Sequence, residues 1–187
     1  MAQIKGMAIL GLIRRVKEAG GEARVPQLIA ELPPSVQGTF GHAIVASGWY
    51  PYEAFARLLT AVARRLGAGR PEYLEELGRA AAVLDTGTIF KVVAALFSVR
   101  RALQRSEMLW SRYCDGGRFL MANIGETSAE GRIEGFPDIS IEHERLVAGW
   151  IAGIGTVVGA LQPRVELVDS IHQGAPASVY LLRWVNK

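Results

Sequence analysis

The stretch Thr88-Ile-Phe-Lys-Val-Val-Ala-Ala-Leu-Phe-Ser-Val99 decides the fold, because its twelve residues carry one charge and place apolar side chains on every helical face. A helix that is apolar all round is enclosed by a core rather than laid on its surface. It runs on through Arg100-Arg-Ala-Leu-Gln-Arg105, where cationic groups suit the negative end of the helix dipole. The pattern predicts one long helix, closed by the turn residues Cys114-Asp-Gly-Gly117 and followed by a strand from Arg118.

Working outward, the residues before this helix have helical periodicity. Ile4 to Lys17, Val25 to Leu32, a short piece within Ser35 to Tyr50, the stripe Phe55, Leu58, Leu59, Val62 and Leu66, and the run opened by Pro71 give about six helices in the first 110 residues. The residues after it alternate. Arg118 to Ile124 and Arg132 to Phe136 predict two strands, and Ser140 caps a helix that extends to about Leu161. Arg164 to His172 and Ser178 to Val185 predict two more strands. The expectation is a single α+β domain over 1–187, with a helical part (1–110) packed on a four-stranded antiparallel sheet (111–187) in the order strand-strand-helix-strand-strand.

Composition narrows the function. Half of the 187 residues are hydrophobic and 21% are charged, which excludes a disordered chain. The longest uncharged run, Leu146 to Gln162, has 17 residues and four glycines, short of the roughly 20 apolar residues of a membrane span. A cytoplasmic location is expected. The net charge of +3 is spread over scattered pairs such as Arg14-Arg15 and Arg100-Arg101, so no nucleic-acid face is predicted. One cysteine, Cys114, excludes an internal disulfide and a multi-cysteine metal site. His42, His143 and His172 fall in separate elements and are read as surface or satisfied histidines, with no metal site. Strand alternation separates Asp169 from Ser170 and His172, which argues against a triad. Neither paired carboxylates nor a nucleophile-base pair is visible, and the chain is read as no enzyme.

The opening Ile4-Lys-Gly-Met-Ala-Ile-Leu, the element order, and Leu109-Trp-Ser-Arg-Tyr-Cys-Asp-Gly-Gly117 at the passage from long helix to sheet carry a family resemblance. Together they resemble the superfamily of haem NO-binding (H-NOX) domains, vinyl-4-reductase domains and TRAPP transport-complex subunits. H-NOX proteins hold iron through a histidine on the long helix and the propionates through Tyr-x-Ser-x-Arg. Here Thr88 to Trp110 contains no histidine, and Phe136-Pro-Asp-Ile-Ser140 stands where the second motif is expected. The resemblance therefore implies a haem-free relative, with no cofactor. It implies a non-enzymatic bacterial sensor that binds an apolar small molecule, fatty-acyl or similar, beside the central helix and signals to a partner protein. Phe90, Val93, Ala94 and Phe97 would line the cavity, with Leu12 and Phe136. The alternative is a protein-interaction or homodimerisation module with a filled core, as in TRAPP subunits. Its interface would use Arg100, Arg101 and the glycine face Gly149/Gly153, which is read as packing on the sheet or on another subunit.

Overall fold

A computed structural model describes residues 2–70, 72–85, 99–104 and 106–185. They form two compact units, Met1–Pro71 with Arg112–Gly116, and Glu72–Ser111 with Gly117–Lys187.

In the first unit, β1 (Gln3–Lys5) leads directly into α1 (Gly6–Gly20), followed by α2 (Arg24–Ala30), α3 (Pro34–Gln37), β2 (Trp49–Pro51) and α4 (Tyr52–Leu66). The helical spacing buries Ile9, Leu12 and Val16 of α1 and Phe55, Leu58, Leu59 and Val62 of α4. β1 pairs antiparallel with β2, where the sequence predicts a helix already from Ile4. No side chain caps α1. The first two amides of α1 donate instead to loop carbonyls, Gly6 N to Gly48 O (2.9 Å) and Met7 N to Ala46 O (3.0 Å). Gly6 admits that loop: a Cβ there would lie 2.1 Å from Val45 O. On the other side of β1, Lys5 N donates to Tyr113 O and Asp115 N to Gln3 O, which ties residues 112–116 into this unit.

The second unit holds α5 (Glu72–Asp85), α6 (Val99–Leu103), α7 (Ser106–Ser111), β3 (Arg118–Ala122), β4 (Ser128–Glu134), α8 (Ile141–Val157), β5 (Leu161–Asp169) and β6 (Ala177–Val185). The sheet is antiparallel throughout with spatial order β3-β4-β6-β5, so the expected strand-strand-helix-strand-strand architecture is present. Ser140 caps α8 as expected, its hydroxyl accepting from His143 N at 3.2 Å. Several boundaries differ, among them the end of β5 at Asp169 rather than His172. β4 begins at Ser128 rather than Arg132. Helix α8 stops at Val157, before Gly159 turns to φ 95°. β5 then starts at Leu161 and accommodates Pro163, because at a sheet edge one missing N–H is tolerated. The predicted long helix is represented among the described residues by α6 and α7 with a turn at Gln104, and residues 86–98 lie outside them.

Helices α5 and α8 meet backbone to backbone. A Cβ on Gly149 would sit 2.0 Å from Glu75 O, one on Gly153 2.6 Å from Ala82 Cβ, and one on Gly78 2.1 Å from Leu146 O. The glycine face is thus filled by α5 of the same chain, which corrects its reading as a face for the sheet or another subunit. Gly149→Ala should therefore destabilise the protein by about 2–4 kcal/mol through overpacking. Gly11→Ala, with nothing within 4 Å of the added methyl, should stabilise by up to about 1 kcal/mol of helix propensity. Urea unfolding of the two variants checks the opposite signs.

Candidate functional site

The densest chemistry of the second unit gathers around the first turn of α8. His143 is buried, with its ring 5.8 Å from that of Trp110 of α7 and nearly parallel to it at 17°. Phe136 meets both edge-on, at 6.4 Å from each. Phe119 of β3 stacks on the other side of the cluster, 6.1 Å from Trp110 and 6.4 Å from Tyr180. Burial pushes the His143 imidazole down to about 3, so it is neutral at physiological pH.

Glu144, the next residue, is fully buried. Its carboxylate accepts from the Ser170 and Ser178 hydroxyls (2.5 Å each) and from Ile171 N (2.9 Å). Its backbone carbonyl accepts from the Tyr180 hydroxyl at 3.2 Å. Donors on both sides of the β5–β6 connection thus replace the water that a buried carboxylate would otherwise demand. This clamp was not foreseen, because an acid in a helix first turn is ordinarily a solvated partner of the dipole. The one signal available was the pair of serines that flanks the turn, Ser170 and Ser178.

The expected site residues land as follows. Leu12 is buried in the first unit, and Phe136 is buried in the second beside His143. Phe90, Val93, Ala94 and Phe97 lie outside the described residues. Arg100 and Arg101 are exposed on α6, whereas Gly149 and Gly153 are covered by α5. Ser170 is committed to Glu144, and His172 is exposed in the turn Ile171–Gln173, so Asp169, Ser170 and His172 form no triad. Cys114 is buried, and burial together with nearby Asp115, against an opposing hydrogen bond from Gly116 N, pushes its thiol up to about 12, an inert protonated group. A cleft of about 320 Å³ runs along β5 between Glu75, Arg145, Glu166, Asp169 and Gln173. Its charged lining differs from the apolar cavity expected beside the central helix.

No family model matches the chain, and no curated protein is similar to it in sequence. Its fold does match solved structures. An H-NOX protein from S. oneidensis in the Fe(II)NO ligation state superposes with a TM-score of 0.74 at 13% identity, over 97% of this chain and 99% of that one. Unliganded Fe(II) H-NOX from K. algicida gives 0.72 at 11% identity, over 98% and 97%. A structure solved to probe haem distortion in the H-NOX family gives 0.70 at 16% identity, over 97% and 95%. The fold is H-NOX-like.

These comparisons overturn the expectation that haem has no place here. The neighbours are iron and haem proteins, so haem becomes the first cofactor to consider for this fold. The described residues alone do not assemble an iron site. The buried Cys114 and His143 belong to different units, one holding its proton and the other packed among rings, and the buried Glu144 carboxyl is committed to Ser170, Ile171 and Ser178. Among the described residues no group of three His, Cys, Asp or Glu side chains converges on a metal position. The stretch that was expected to line the pocket, 88–97, is outside them.

The depressed His143 value carries a stability consequence. Above the ordinary value of 6.5, folded and unfolded chains both leave the ring unprotonated. As pH falls below it, the unfolded chain takes up a proton that the folded chain refuses until about pH 3. Stability should therefore fall on acidification by up to about 1.4 kcal/mol per pH unit from this residue. Unfolding followed between pH 7 and 4 should show that slope, and His143→Phe should flatten it.

Proposed function

We propose that the chain is a non-enzymatic, H-NOX-like binding or sensing module, working as one α+β domain, that holds a single small molecule and signals to a partner protein. The carrying observation is the likeness to H-NOX structures over nearly the whole chain. Fold alone does not assign function, so the second support is chemical. In the sequence, 88–99 carries a single charge, and helical spacing would put Phe90, Val93, Ala94 and Phe97 along one apolar surface. Such a surface accepts a large apolar body bearing carboxylates, a description that fits both haem and a fatty acid. Haem comes first because the structural neighbours hold it.

Native mass spectrometry of the full chain, as purified and after separate addition of ferric haem and a long-chain fatty acid, tests the reading. A 1:1 complex with one of them is expected, and haem binding would add a Soret band. Val93→Asp should weaken retention by at least about tenfold by placing a charge in an apolar lining. An empty chain that takes up neither molecule would overturn the proposal.

A second reading, a protein-interaction or dimerisation module, draws on Arg100 and Arg101, both exposed on α6, and on Met108, 53% exposed on α7. Sedimentation should then show a dimer that dissociates in the Arg100→Glu/Arg101→Glu double variant. A monomer at every concentration sinks it.

A further inference from the structure

We propose that the His143–Glu144 pair is a coupling joint, which makes the position of α7 and the order of the β5–β6 turn depend on one another. The two residues are anchored in different directions. The His143 ring lies on Trp110 of α7, while the Glu144 carboxylate holds Ser170, Ile171 and Ser178 around the turn. They are one peptide apart in the first turn of α8, so a rotation that relieves pressure on the His143 ring also swings the carboxylate.

The rest of α8 cannot follow. Gly149 and Gly153 seat its middle against the backbone of α5, where a displacement meets atoms with no room to give. Motion is therefore confined to the N-terminal turn. A parallel route closes the circuit, because Tyr180 donates to the Glu144 carbonyl and tilts against Phe119, which stacks on Trp110.

The clamp is also releasable. Among the described residues the partners of the carboxylate are two hydroxyls and one amide, without a cation. Water can replace each of them once the turn opens, and a carboxylate that gains water loses its burial cost. The turn itself presents His172, Gln173, Gly174 and Pro176 to solvent, which makes it a surface whose order a partner can read. Coupling of this kind is reciprocal: whatever the Trp110 contact does to the turn, the turn does to Trp110. The inference takes from the proposed function only the notion that something displaces α7. Its test uses no ligand and so stands or falls apart from the ligand titrations.

Amide hydrogen exchange of the full chain is the measurement. In Trp110→Leu, exchange at Ile171 and Gln173 should accelerate about tenfold more than at Leu182, in the same sheet. In a Glu144→Met background, which keeps the volume and removes both acceptor oxygens, the Trp110 substitution should add nothing further at Ile171, because the link is already cut. Reciprocally, Glu144→Met should shift the ¹⁹F resonance of 5-fluorotryptophan at position 110. Trp110→Phe, which keeps a ring, should give the same pattern at smaller amplitude and serves if Trp110→Leu does not fold. Equal acceleration at Ile171 and Leu182, strictly additive effects in the double variant, or an unmoved fluorine resonance would overturn the joint.

Discussion

The second unit depends on the glycine contact between α5 and α8. With Gly78, Gly149 and Gly153 the two backbones come within distances that no side chain permits, and this sets how closely α8 can lie over the sheet. Each interior glycine costs about 1 kcal/mol of helix propensity, so the contact has to return dispersion energy from the tight approach to be worth holding. Once α8 is seated, its N-terminal turn falls where the aromatic rings of α7 and β3 meet the β5–β6 connection. The dense chemistry of this unit is therefore a consequence of helix packing.

Glu144 shows how a core tolerates a carboxyl group. Burying one without partners costs several kcal/mol, and three hydrogen-bond donors offset that cost here. The arrangement stabilises only when the β5–β6 turn is in place, so it rewards one register of that hairpin over its neighbours. Specificity rather than raw stability is what such a group contributes best, because a well-packed apolar residue would serve stability equally well. The neutral His143 beside it follows the same logic: its ring is used as an aromatic surface, and its charge is suppressed by burial.

Much of the fold was legible because it is written in periodicity. The stripes Ile9, Leu12, Val16 and Phe55, Leu58, Leu59, Val62 have the spacing of buried helix faces, and the alternation in β6 has the spacing of a strand. What was missed is non-local. The β1–β2 pair joins residues some forty-five positions apart, and its three residues per strand carry no alternation to detect. The partner of the Gly149/Gly153 face was invisible for the same reason, since small residues announce a close approach without saying to what. Pro163 marked the wrong boundary, because a proline that ends a helix is also compatible with an edge strand. Glu144 was hidden by its position, where an acid has an ordinary explanation. Of the expected apolar pocket, only Leu12 and Phe136 fall among the described residues, and both are buried.

The correction about haem has a physical lesson. The absence of a histidine between Thr88 and Trp110 was treated as a statement about the cofactor, yet it is a statement about one ligand position. Binding a large apolar body rests mainly on surface removed from water, at about 25 cal/mol per Å², while a metal-ligand bond adds to that and fixes orientation. The likeness to H-NOX structures at 11–16% identity is one of fold, shared without most of the particular residues. A missing ligand then changes how a guest would be held and what reactivity it would have.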